Sequence, residues 1–228
     1  MLRERYERVL ESVREAELQA GRTPGEVRLM AVTKTVGEPV VAEAIAAGAR
    51  LLGENKVQEL ARKRNALDLT GCELHLIGHL QSNKAAKAVA CADMIQSVDS
   101  LRVAREISGA CLKQGRQMPV LLEVNIGRDP AKFGFLPEET EAALAEIAEF
   151  PGLSVRGLMT VPPFSREGPQ TRKFFSQMFR LFLDIRGKKM DNIDILSMGM
   201  SGDFELAIAE GSNLVRVGSA IFGERSYR

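Results

Sequence analysis

Lys34 follows the apolar run Leu29-Met30-Ala31-Val32-Thr33. At the end of a buried strand an amine is partly desolvated, sheds its proton more readily and can attack a carbonyl. Taken alone, that placement better suits a lysine that snorkels to solvent. His75 and His79 are the two histidines and stand in an H-x-x-x-H spacing. They do not read as a zinc pair, because the glutamate of H-E-x-x-H is missing and because residues four apart on a strand are about 13 Å apart. His79 could line a cavity or serve packing and loop hydrogen bonding, and the residue pattern leaves both open.

Two small-residue stretches stand near the end of the sequence, Ser197-Met198-Gly199-Met200-Ser201-Gly202-Asp203 and Arg216-Val217-Gly218-Ser219. Backbone N–H groups exposed in such loops, with a helix amino terminus behind them, favour a phosphate dianion. A single glycine would mean no more than a tight turn; two such loops together favour a phosphorylated ligand. A lysine amine added to that site would suit a phosphate that also carries an aldehyde.

These groups need a scaffold that brings them together. From Val27 onward, short Val-, Ile- and Leu-rich runs alternate with segments of helical period, as in a parallel sheet with crossover helices. Strands are predicted near Arg28–Thr33, Arg50–Gly53, Glu73–Gly78, Met94–Val98, Pro119–Asn125, Ser154–Thr160, Asp194–Ser197 and Leu214–Val217. Helices fit at Pro39–Ala47, Val57–Leu67, Lys84–Ala90, Leu101–Lys113, Pro137–Phe150, Gln170–Arg186 and Phe204–Ala209, with a short turn after Gly223. Leu2, Tyr6, Val9, Leu10, Val13 and Ala16 mark an additional amino-terminal helix, stopped by Gly21 and Pro24.

Eight strands with intervening helices in 228 residues specify an α/β fold, a single (β/α)8 barrel of the TIM type, forming one domain over residues 1–228. In such a barrel the groups that act lie just after each strand: Lys34, Glu54, Asn55, His79, Ser97, Asp99, Asn125, Thr160, Ser197 to Ser201 and Arg216 to Ser219. The irregular stretch Val161–Pro169 reads as a loop over that face.

The 31 basic and 30 acidic residues leave a formal net charge of +1, which supplies no field for nucleic acid or an anionic membrane. Cys72, Cys91 and Cys111 are odd in number and widely spaced, fitting neither a disulfide framework nor a zinc site. The first residues mix acidic and basic side chains without an apolar core, and no apolar run reaches about 18 residues. A cytoplasmic protein, with no membrane partner, is expected.

The motifs Ala31-Val-Thr-Lys34, Gly53-Glu-Asn55, His75-Leu-Ile-Gly-His79-Leu-Gln-Ser-Asn-Lys84, Gly157-Leu-Met-Thr160, Ser197-Met-Gly-Met-Ser201 and Arg216-Val-Gly-Ser-Ala-Ile-Phe-Gly223 occur in one order along nearly the whole chain. In this it closely resembles the pyridoxal phosphate homeostasis proteins. The resemblance implies a barrel like the amino-terminal domain of alanine racemase, with pyridoxal 5′-phosphate held as a Schiff base on Lys34. It places Ser201, Gly218 and Ser219 at the phosphate, Arg216 at the pyridine nitrogen and Asn55 beside the ring, while Met200 either covers the site or fills core. A permanent guanidinium charge at that nitrogen would disfavour its protonation and weaken the ring as an electron sink.

The implied function is intracellular cofactor homeostasis: binding, buffering and delivery to apoenzymes that need the cofactor, without substantial turnover. The alternative is a racemase-like enzyme that uses the same cofactor, and a third reading is a phosphosugar enzyme without it. Racemases of this fold carry a further β-domain whose tyrosine is the second acid–base group. This sequence shows five residues after Gly223, and its tyrosines are Tyr6 and Tyr227.

Overall fold

The computed structural model describes residues 1–163, 168–188 and 192–223. Helix α1 (Leu2–Gln19) buries Leu2, Tyr6, Val9, Val13 and Ala16 along one stripe, with Leu10 at its margin. It also buries Glu17, whose carboxylate accepts from the backbone N–H groups of Gly25 (3.0 Å) and Val27 (2.6 Å). Those two bonds fold the turn back onto α1 and aim the chain into β1 (Arg28–Val32).

Strand and helix then alternate: α2 (Glu38–Ala46), β2 (Leu51–Glu54), α3 (Val57–Ala66), β3 (Glu73–Leu76), α4 (Ala85–Cys91), β4 (Met94–Val98), α5 (Leu101–Gln114), β5 (Met118–Glu123), α6 (Pro137–Ala148) and β6 (Leu153–Met159). After these come α7 (Gly168–Arg186), β7 (Ile195–Met200), α8 (Phe204–Ala209), β8 (Leu214–Val217) and α9 (Ser219–Phe222). All eight strands pair in parallel in sequence order, and β8 closes on β1 with Arg216 opposite Met30. The (β/α)8 barrel and the extra first helix are as the periodicity specifies.

Two cores hold the barrel. Met30, Val32, Leu51, Met94, Leu121, Met159, Ile195 and Leu214 fill its interior, and a larger apolar layer lies between the sheet and the surrounding helices. At Gly157 (φ +152°) a Cβ would stand 1.8 Å from the carbonyl oxygen of Ile195, so β6 and β7 pair this closely only because that side chain is absent.

The structure moves several expected boundaries. β7 continues to Met200, so Ser197 is not a strand-end residue but a mid-strand one, opposite Met159 and Leu214. The last described helix, α9, precedes Gly223; the expected turn beyond it lies outside the described residues. Of the loop expected over Val161–Pro169, residues 164–167 also lie outside them, and α7 already begins at Gly168. Among the described residues no helix is long and apolar enough to cross a membrane.

Candidate functional site

The carboxyl ends of β1, β2, β7 and β8 surround a cavity of about 620 Å³. Its lining contains Lys34, Asn55, Met200, Ser201, Arg216, Gly218 and Ser219, so all seven sequence-predicted residues meet in one place. Gly202 completes its polar side. Val32, Ile77 and Val161 form apolar walls that the sequence reading did not single out, because nothing separates them from ordinary strand residues.

Lys34 is half-buried, and the backbone around it is pinned on both sides. Before it, the Thr33 N–H donates to Gly53 O (2.9 Å) and Thr33 O accepts from Lys63 Nζ (2.6 Å). After it, Thr35 adopts φ +61°, and its N–H donates to Glu59 Oε2 at 2.7 Å. Beneath this strand end Lys63 and Glu54 form a fully buried ion pair, and Thr33 Oγ1 donates to the same carboxylate oxygen at 2.5 Å. Burial pushes the Glu54 carboxyl upward against the pull of Lys63, and its Oε2 has no hydrogen-bond partner among the described residues. Glu54 therefore holds the scaffold under Lys34 instead of facing the cavity.

The β7 and β8 loops are tied to each other. Ser201 Oγ accepts from Gly218 N (3.1 Å) and, weakly, from Ala220 N (3.5 Å). Asp203 Oδ1 accepts from Met200 N (2.6 Å), closing the turn that presents Ser201 and Gly202. Gly199 plays a different part from the one its loop suggested. Its φ of +98° turns the chain, and its missing Cβ leaves room for Ala207 Cβ, 2.6 Å from where that atom would be, so it serves packing and not the approach of a phosphate. Met200 is 40% exposed at the mouth, which excludes core filling.

Arg216 is only 4% exposed, yet its two hydrogen bonds go to neutral groups, from NH1 to Ser197 Oγ (2.6 Å) and from NH2 to Thr160 O (2.8 Å). Desolvation draws this guanidinium down to about 10, with Glu123 and Asp203 opposing at longer range. Glu123, at the end of β5, is pushed up to about 7, chiefly by burial and then by the Asp99 charge.

The other strand-end candidates brace the loops and strands around the site and do not line the cavity. His79 bonds Asp99 (2.7 Å) and stacks on Phe133 with centroids 3.6 Å apart, so loop bonding is its role and it is not part of the cavity lining. Ser97 donates to Gly78 O (2.7 Å), and Thr160 Oγ1 donates to Val124 O (2.7 Å). The Asn125 side chain braces its own loop through Asp129 O (2.8 Å) and Asp129 N (3.1 Å). His75, four residues before His79, lies buried inside the barrel. No cluster of three or more metal-ligating side chains occurs among the described residues.

Known proteins resemble this chain over nearly its whole length. A family model, alanine racemase, N-terminal domain, matches residues 13–226. The pyridoxal phosphate homeostasis protein of Aquifex aeolicus is 38% identical over 224 residues, 98% of each chain. That of Escherichia coli is 39% identical over 222 residues, covering 96% of this chain and 94% of the relative. The structure of PipY from Synechococcus elongatus with PLP bound superposes with a TM-score of 0.80 at 36% identity, over 93% of this chain and 99% of PipY. The chain belongs to the pyridoxal phosphate homeostasis protein family.

Proposed function

We propose that this protein binds pyridoxal 5′-phosphate in the 620 Å³ cavity through Lys34 and acts in its homeostasis, buffering it and handing it to apoenzymes, without substantial turnover. One observation carries the reading: the donor set of the cavity matches the cofactor group by group. An amine at one strand end, a hydroxyl among backbone N–H groups at another and a buried guanidinium between apolar walls answer to an aldehyde, a phosphate and a pyridine ring. The PLP-bound relative PipY supports it.

When bound, the cofactor supplies an electrophilic aldehyde and an electron-withdrawing ring. Lys34 Nζ is the attaching amine. Ser201, whose Oγ is held by the N–H groups of Gly218 and Ala220 and so keeps its own proton to donate, would bind the phosphate together with the Gly218–Ser219 backbone, and Asn55 would border the ring. Arg216 would face the ring nitrogen and, as a cation, would disfavour its protonation. Met200, exposed at the mouth, would cover the bound cofactor.

Two features support low turnover. Arg216 weakens electron withdrawal by the ring, and among the described lining residues there is no carboxyl, imidazole or phenol to serve as a second acid–base group beside Lys34. The test is a panel of amino acids assayed for racemisation, transamination and decarboxylation, run beside transfer of the cofactor to an apoenzyme acceptor. Transfer without steady turnover is expected, and Lys34→Ala should keep the fold while losing the visible chromophore. Steady turnover that disappears in Lys34→Ala would replace this reading with that of a racemase-like enzyme.

A further inference from the structure

A chain of buried hydrogen bonds descends from Arg216 to the opposite end of the barrel. Arg216 NH1 donates to Ser197 Oγ (2.6 Å), Ser197 Oγ to Gln96 Oε1 (2.7 Å), Gln96 Nε2 lies 2.9 Å from His75 Nδ1, and His75 Nε2 lies 2.9 Å from Glu73 Oε2. Glu73 Oε1 in turn accepts from Arg28 NH2 at 2.7 Å, so the chain ends in an ion pair at the amino ends of β1 and β3. Ser197, Gln96 and His75 are each 0% exposed.

The groups at the upper end of the chain set its direction. A guanidinium only donates, so Ser197 Oγ accepts from it, and because the Gln96 atom facing Ser197 is the amide oxygen, which cannot donate, the hydroxyl proton goes to Gln96. The amide oxygen of Gln96 is thereby used, and its NH2 group donates to His75 Nδ1. His75 is left with its proton on Nε2, pointing at the Glu73 carboxylate. The charges acting on His75 are Glu73 and Arg28, with Asp93 at longer range, and burial holds the imidazole below its usual range, which favours the neutral ring that this order requires.

We infer that Gln96 and His75 are positioning residues for Arg216: through Ser197 they fix the face and direction of the guanidinium that meets the cofactor. Ser197, Gln96 and His75 lie outside the cavity lining, and without the Gln96 acceptor the Ser197 proton would have no fixed direction away from Arg216. This inference rests on the proposed placement of Arg216 at the ring nitrogen.

The test compares Gln96→Leu and Gln96→Glu in the cofactor-loaded protein. Leu fills similar space but removes both links; the pH titration of the chromophore should move by about half a unit or more, toward that of Arg216→Leu. Glu keeps the acceptor for Ser197 but requires a proton on His75 Nδ1. Its chromophore should titrate within about 0.2 unit of the parent while the imidazole NMR signals become those of an imidazolium. A packing role predicts the reverse, Leu tolerated and the buried carboxylate disruptive, and that result would overturn the inference.

Nitrogen NMR of the unmodified protein tests it independently of how the variants fold. His75 should be neutral with its proton on Nε2 at pH 7, and a proton on Nδ1 would contradict the chain. A parent that never acquires a chromophore would refute the cofactor reading instead; an intact chromophore with unmoved titration in Gln96→Leu would refute only the relay.

Discussion

Replacing Lys63 by Met leaves the Glu54 carboxylate without a counter-charge, with only Thr33 Oγ1 donating to it, in a site where both side chains are fully buried. Removing one partner of a buried pair costs about 3 to 5 kcal/mol, because the survivor keeps its desolvation penalty and loses its compensation. The bond to Thr33 O goes with it. For a chain of this size, each kcal/mol lowers the melting midpoint by about 2 to 4 °C, which gives a drop of roughly 6 to 20 °C. The deficit should depend on pH. Glu54 is already raised by burial, and without Lys63 it rises further, so the folded variant holds a proton that the unfolded chain releases. The stability that this proton brings is present at low pH and is lost as pH climbs through the folded value, by up to about 1.4 kcal/mol per unit. Thermal unfolding followed by circular dichroism should therefore show a larger gap from the parent at pH 8 than at pH 5. The double variant Glu54→Gln/Lys63→Met, which leaves no orphaned charge, should recover at least half of the loss at pH 8. A single variant melting within about 2 °C of the parent at pH 8, or a double variant no better than the single, would refute the reasoning.

Glu123→Gln should be more stable than the parent by about 1 to 3 kcal/mol at pH 8 and no different at pH 4. The native carboxyl, raised to about 7, contributes stability that is present below its unfolded value and lost as pH rises through 7, and urea titrations at the two pH values check this. Ser201→Asp should weaken cofactor binding about tenfold or more in equilibrium dialysis, since its carboxylate repels a phosphate dianion; unaltered affinity would move the phosphate elsewhere. Arg216→Glu should raise the pH at which the chromophore titrates without removing it, because a carboxylate favours a protonated ring nitrogen.

The sequence locates the cavity residues well, for a simple reason. In a parallel barrel the ends of the apolar runs all reach one face, so Lys34, Asn55, Ser201 and Gly218 could be brought together without knowing a single side-chain contact. The residues that support them were not legible. Lys63 sits between Arg62 and Arg64 in a helix whose buried face is decided only when α3 docks, so nothing in its spacing marks it as the partner of Glu54. The apolar pattern marks the end of β7 at Ser197, but the strand runs three residues further, to Met200, which makes Ser197 a mid-strand residue. Gln96, 101 positions away, is brought to it only by closure of the barrel. Strands buried on both faces show no alternation that would reveal which side chains point inward.

The central claim is the attachment of pyridoxal 5′-phosphate at Lys34, and borohydride reduction of the cofactor-loaded protein followed by peptide mass mapping tests it most directly. A phosphopyridoxyl adduct on Lys34, with its disappearance in Lys34→Ala, is the predicted result. An adduct confined to another lysine, or none after incubation with the cofactor, would contradict it.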